Sequence, residues 1–466
     1  MNAPISLTAP GSRFSSGPEP APLPRPATPP PAPRFSSGWL AAQGRLPLAF
    51  VGVGLAWLAV ATAMLAFRPD VLAQSHLAPP VVALAHAWIL GFFVTTACGA
   101  MYQLAPVALG TTLWSERRAW WHLGLQTIGV PGMVYSFWIF DLKLLGHFGA
   151  FVALGVILFA ENMWRTVRLS GKKNSVAWSL ALATGWLLLT VLAGLTLAAN
   201  RFWQFLPLDP LSLLRAHAHL GLVGFFLTLL QGVPFQLIPM FTLGDVPNWR
   251  FVSTGLWLSQ IGLAGLIPAL TWHRSSLAAI FGGIILAGMI ATGWALKQTL
   301  SHRKKRVLDP GVRAFVAGSA VLLVAAIAAI VLAWPSTPWG SAPGGFGAMV
   351  YAALVIVAAL LPIFTGMLCK IVPFLTWMRA YGPKVGRVPT PAAGALAKPE
   401  LEVWSFRVQA IGSLLLVAGV WSLDPRLLAA SGWLLAGGVG LFLANMLVVL
   451  RHLWRPSIPH VKGKPS

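Results

Sequence analysis

Residues 86–106 read HAWILGFFVTTACGAMYQLAP, and residues 219–239 read HLGLVGFFLTLLQGVPFQLIP. They align without a gap at an offset of 133. Nine positions are identical: His86/His219, Gly91/Gly224, Phe92/Phe225, Phe93/Phe226, Thr95/Thr228, Gly99/Gly232, Gln103/Gln236, Leu104/Leu237 and Pro106/Pro239. Each stretch is apolar over about 20 residues, the length at which an α-helix crosses a bilayer. Apolar runs match one another by composition alone, but a shared His, Gln and Pro at fixed spacing is harder to obtain that way. A third, weaker copy, GMLCKIVP, carries Gly366, Lys370 and Pro373 in the same phase at offset 134. ALGVILFAENM at 153–163 also matches AGGVGLFLANM at 436–446 in seven of eleven positions, including Asn162/Asn445. The pattern predicts a four-helix unit used three times, over about 46–175, 176–310 and 311–451, with pseudo-symmetry about the membrane normal.

Composition agrees with a membrane-embedded repeat. Of 466 residues, 57% are hydrophobic and 9% charged, against about 25% charged in soluble domains. So few charges cannot build a water-facing surface. This excludes a soluble enzyme, a disordered chain and a fibrous repeat. Twelve apolar runs follow one another: 46–67, 80–109, 119–140, 144–165, 176–199, 213–241, 251–271, 275–299, 312–333, 346–376, 406–423 and 427–451. They are too long for strands and lack the alternation of a barrel. The expected class is an all-α polytopic membrane protein with about twelve transmembrane helices. The lipid bilayer is its first partner.

Alternating the spans from a cytoplasmic N-terminus puts 26 Lys and Arg on the inside and six outside, with Lys370 within a span. That bias predicts both termini inside. The net charge of +22 is then a topology signal and an affinity for anionic lipid, and no nucleic-acid partner is expected. Residues 1–45 are rich in Pro, Ser, Ala and Gly, with RFSSG at 13–17 and again at 34–38. They read as a disordered cytoplasmic tail and not as a signal peptide. Residues 452–466 read as a basic cytoplasmic tail.

The eleven carboxylates fall almost entirely in predicted loops, which argues against a carboxylate proton relay or a cation-coupled transporter. No phosphate-binding glycine motif is present. Histidine remains. His86 and His219 stand at equal depth near the outer ends of spans two and six, and imidazole suits haem iron, copper or zinc. His217 precedes His219 by two residues, about 200° around a helix, so the two cannot aim at one centre. His147 opens span four and His273 ends span seven near the same depth, and both enter the list of candidate metal ligands. Arg215 is a candidate to hold an anionic cofactor group. Gln103, Gln236 and Lys370, each three residues before a Pro, read as architectural groups serving the carbonyl that Pro frees; Lys370 can also snorkel to the interface. Cys98 and Cys369 lie inside spans, cannot form a disulfide framework and read as small buried hydrophobes.

Twelve spans in three units, with His86 on span two and HAHLGLVGFF at 217–226 on span six, resemble the haem–copper oxidase subunit I fold. The wider group includes terminal oxidases, nitric oxide reductases and the NnrS proteins. The resemblance implies that His86 takes the place of a low-spin haem ligand, and that His219 or His217 takes that of a copper or non-haem-iron ligand. It also marks departures. Span seven, 251–271, lacks the family's His pair, and span ten, 346–376, has no His; Ala353 stands opposite His219 and Tyr351 opposite His217. Met349, Met367 and Cys369 are the residues left to substitute there.

The expectation is a divergent haem–copper-oxidase-like protein of a bacterial cytoplasmic membrane, binding haem b, copper or iron through His86 and His219. Its role would lie in respiratory redox chemistry, nitric oxide or oxygen response, or haem and copper handling. If it is an enzyme, it is a haem-dependent oxidoreductase, and cytochromes or respiratory-complex subunits are its expected partners. The alternatives are a small-solute transporter or channel and a cofactor-free assembly partner of a respiratory complex.

Overall fold

A computed structural model describes residues 44–246, 248–334 and 346–456. The predicted tails lie outside these residues apart from 44–45 and 452–456. Twelve long helices follow in order: α1 Arg45–Phe67, α2 Pro79–Leu109, α3 Glu116–Ile139, α4 Leu142–Ser170, α5 Ser175–Trp203 and α6 Pro210–Thr242. The second half holds α7 Trp249–Thr271, α8 Ser275–Ser301, α9 Pro310–Ala333, α10 Gly347–Ala380, α11 Pro399–Ser422 and α12 Pro425–Leu450. Eleven of them are long and apolar enough to cross a membrane. The other, α3, has 24 residues but opens on Glu116, Arg117 and Arg118 and carries His122. Among the described residues every regular element is helical.

Local chemistry sets several helix starts. The side chains of Asp141, Asn174, Asp209, Asn248 and Asp424 each accept a hydrogen bond from a backbone N–H in the first turn of the helix that follows, satisfying donors that the helix itself leaves unpaired. One boundary differs from expectation. Helix α11 begins at Pro399 rather than 406, because Pro fits a first helical turn, and it draws Glu400 and Glu402 into the helix.

Of the eleven apolar spans, α2, α6 and α10 are the most enclosed; the apolar windows of the other eight are buried over less than half their length. Three aromatic rings, one from each, meet between them: Phe93 and Phe226 with centroids 6.1 Å apart, Phe93 and Phe364 4.9 Å, Phe226 and Phe364 5.8 Å. Each helix is also underwound out of the α register for eight residues, at Ala87–Val94, Leu220–Leu227 and Ala353–Leu360. Such π-helical stretches are rare and frequently mark functional sites. In two of them a threonine closes the stretch: Thr95 Oγ1 donates to the Leu90 carbonyl at 2.8 Å and Thr228 Oγ1 to that of Val223 at 3.3 Å, both five residues back. A glutamine on the following helix backs each threonine, Gln126 Nε2 at 3.3 Å and Gln260 Nε2 at 2.9 Å.

Close approach inside the stretches requires glycine. A Cβ on Gly91 would lie 2.6 Å from the Trp57 ring, and one on Gly224 would lie 2.7 Å from Trp186 Cβ. Each tryptophan comes from the helix before, α1 or α5.

Candidate functional site

His86 and His219 each stand one residue before a π-helical stretch, where the helix is still regular. His86 Nδ1 is 2.8 Å from the carbonyl of Val82, one turn back. Its ring packs on Phe137 of α3, with centroids 4.6 Å apart. His217 of α6 also lies beside it, at a centroid distance of 6.4 Å and with the planes 19° apart. His217 Nδ1 is 3.0 Å from the carbonyl of Thr190 on α5. The ring fits against α5 because residue 194 is glycine; a Cβ there would sit 2.9 Å from His217 Cε1.

A carbonyl can only accept, so in both rings Nδ1 carries the proton. Nε2 then presents its lone pair, the state in which imidazole binds a metal. The two hydrogen bonds also fix how each ring is turned.

His219 faces elsewhere. Its Nδ1 is 2.8 Å from the Arg215 carbonyl, and its ring lies parallel to Tyr351 of α10, with centroids 5.9 Å apart and planes 11° apart. The expected pairing of His86 with His219 is thus replaced by His86 with His217. The cause is the helical rotation of about 200° over two residues, which turns the two imidazoles to opposite neighbours. His219, Arg215 and His273 line one cavity of about 430 Å³ enclosed by α6–α10, and neither His86 nor His217 borders it. His273, just past the end of α7, lies 2.9 Å from Ser212 Oγ and 3.5 Å from Asp209. His147 is exposed, with Nδ1 2.7 Å from the Lys143 carbonyl of its own helix, and stands apart from both groups.

The possible substitute ligands divide along α10. Cys369 lies 18 residues beyond Tyr351, about 27 Å along the helix, and Met367 about 24 Å, so neither reaches the histidine end of the bundle. Met349 is buried at that end. Among the described residues no group of three or more His, Cys, Asp and Glu is placed to hold a metal ion; the histidine pair is a two-donor site.

The three residues read as architectural do not act alike. Gln103 is buried and Gln236 exposed. Lys370 makes an ion pair with Asp309, which also takes Lys305 Nζ at 2.6 Å. Sequence reading missed this ion pair, because the contact depends on how the loop before α9 meets α10; sequence reading also places Glu402, here 6% exposed, in the loop before span eleven. It also missed Gln126 and Gln260, although their spacing of 134 repeats that of Thr95 and Thr228 within one residue.

No family model matches the chain, and no curated protein matches it. Among solved structures it is similar to a heme-copper terminal oxidase, determined as a dimer, with a TM-score of 0.60 at 13% identity, over 89% of this chain and 84% of that one. At that identity the likeness is one of fold: the chain has a distant heme-copper-oxidase-like fold in an integral membrane protein.

Proposed function

We propose that this chain is a divergent heme-copper-oxidase-like membrane protein that holds a copper or iron ion between His86 of α2 and His217 of α6. Its role on this reading is respiratory redox chemistry, nitric oxide or oxygen response, or metal handling, with cytochromes or respiratory-complex subunits as partners. The observation that carries it is the His86–His217 pair. Metal–nitrogen bonds of about 2.0 Å to each ring span a centroid separation of about 6 Å when both Nε2 edges turn toward one ion, and the two centroids are 6.4 Å apart. Both Nε2 atoms carry lone pairs, and imidazole suits copper and iron alike.

A single ion fits this pair better than haem b does. Phe137 and the Gly194 backbone close on the two rings, and a macrocycle would have to part them. A bound copper or iron supplies one-electron redox chemistry and a position for a small gas ligand. The protein's part is to fix both imidazoles through Thr190 and Val82 and to keep the pair away from bulk water.

The same reading includes three four-helix units with both termini in the cytoplasm. The three π-helical stretches, which begin 133 residues apart at 87, 220 and 353, support the first; the 26-to-6 distribution of Lys and Arg supports the second.

The test is metal analysis with a reduced-minus-oxidised spectrum on the detergent-purified chain. About one copper or iron per chain, lost in His86→Ala and in His217→Ala and kept in His219→Ala, is the expected result. Wild-type protein produced with ample copper and iron yet holding neither, or equal metal in all four proteins, overturns it. A haem b spectrum lost only in His219→Ala would move the cofactor to the cavity instead.

A further inference from the structure

The cavity of about 430 Å³ between α6 and α10 is not used by the histidine pair. Its lining runs along α10 from Gly347 to Leu360 and along α8 from Ser275 to Met289, about 20 Å in each case. The space is long and thin, the profile of one alkyl chain rather than of a compact solute. Small residues make the room. Ala325, Ala326, Ala329 and Ala333 occupy the facing stripe of α9, and Ala278 and Gly282 that of α8. The deep end, at Phe226, Leu322 and Leu360, is entirely apolar.

The mouth has the opposite character. Arg215 and Arg274 line it, and among the described residues neither makes an ion pair or a side-chain hydrogen bond. Among the described residues no carboxylate lines the cavity. Asp209, which contacts the lining residue His273, is engaged with the Ser212 N–H at 2.8 Å. Two cations without partners thus stand at the opening of an apolar tunnel. A buried apolar volume of this size excludes water, and unpaired guanidinium groups favour carboxylate or phosphate in bidentate geometry.

We propose that this cavity binds a single-chain amphiphile, its alkyl tail between α8, α9 and α10 and its anionic head on Arg215 and Arg274. The head is a carboxylate or a phosphate, supplied by a free fatty acid or by an anionic lysophospholipid. The proposal shares no residue with the His86–His217 pair, so either can fail without the other.

The test measures binding of radiolabelled palmitate to the full-length protein in phosphatidylcholine nanodiscs. Saturation near one palmitate per chain is expected, with cetyl alcohol at least about tenfold weaker because it lacks the charge. The double variant Arg215→Gln/Arg274→Gln should bind palmitate about tenfold more weakly or worse, and Ala329→Phe, which fills the tunnel, should abolish binding. Cetyl alcohol matching palmitate, or undiminished binding in a folded Ala329→Phe protein, overturns the proposal, as does a haem found on His219. Lysophosphatidylglycerol displacing palmitate below equimolar amounts would name a lipid as the source; failure to displace it would name the free acid.

Discussion

The ring of His217 lies parallel to that of His86, 6.4 Å away across the contact between α2 and α6, while His219, two residues further on, stacks on Tyr351. The backbone decides this division. Both histidines of α6 lie in the regular turns before its π-helical stretch, so their side chains leave the helix on nearly opposite sides. One therefore reaches a second histidine and the other reaches the cavity. A metal on the first and an amphiphile in the second would occupy neighbouring but separate compartments of one bundle.

The orientation of His217 depends on the absence of a side chain at Gly194, whose Cβ would sit 2.9 Å from His217 Cε1. Gly194→Ala should push the ring off the Thr190 carbonyl without removing either donor. Metal affinity is expected to fall about 10- to 100-fold, the usual effect of losing a residue that orients a ligand, with little change in the melting temperature. A titration of apoprotein with copper or iron checks this. Unchanged affinity would mean that the ring has another stable position.

Two of the π-helical stretches rest on the threonines that close them. Thr228 Oγ1 donates to Val223 and accepts from Gln260 Nε2, and Gln260 Oε1 accepts from the Trp186 indole at 2.6 Å. Gln260→Leu removes two of these bonds and leaves a buried hydroxyl and an indole short of partners. The expected loss is about 2–4 kcal/mol, seen as a lower melting temperature. Thr228→Val, which nearly keeps the volume, should cost about 1–3 kcal/mol. The double variant should cost less than the sum, because the two side chains share a bond.

Asn162 and Asn445 do the same work in two places. Asn162 Oδ1 accepts from the Ser115 N–H at 3.1 Å and Asn445 Oδ1 from that of Lys398 at 2.8 Å. In both cases the partner lies 47 residues earlier, at the start of the preceding helix, α3 or α11. Asn162→Ala and Asn445→Ala should each destabilise the protein by about 1–2 kcal/mol. Hydrogen exchange should quicken locally, in the first turn of α3 for one and of α11 for the other. Equal protection in wild type and variant would show that water takes over the bond.

The spans were legible because each is a long apolar run, and periodicity of that length has one reading in lipid. Eleven boundary pairs fall within a few residues of expectation; only α11 starts seven earlier, where polar PELE at 399–402 hid a capped helical turn. The positions His86, His217, His219 and Gln103 were visible as rare polar residues in apolar surroundings. Their partners were not. The facing of His86 and His217 depends on how α2, α5 and α6 pack, and the π-helical stretches are spelled AWILGFFV, LGLVGFFL and ALVIVAAL, which an α-helix accommodates equally well. The cavity was hidden for the opposite reason, since alanine on α9 reads as an ordinary span.

Lys370 shows how a sequence position changes meaning in three dimensions. Lysine near the end of a span reads as a group that snorkels to water, yet here it meets Asp309, the residue before α9, and both are about four-fifths shielded. Burial alone pushes the Asp309 carboxyl up, but the hydrogen bonds and charge of Lys305 and Lys370 outweigh it and hold the group below its ordinary value. A carboxyl held lower in the folded than in the unfolded chain stabilises the fold above its unfolded pKa, and this contribution is lost as pH falls through the folded value. Asp309→Asn should therefore cost about 1–3 kcal/mol at neutral pH, and the difference from wild type should shrink below about pH 4. Lys370→Met alone leaves the carboxylate with Lys305 only. Adding it to Asp309→Asn should restore part of the loss, because Lys370 is then no longer left without the Asp309 carboxylate. Thermal unfolding of the three variants and wild type across that pH range measures both effects. A gap between wild type and Asp309→Asn that stays constant down to pH 3 would mean that the ion pair contributes nothing to the fold.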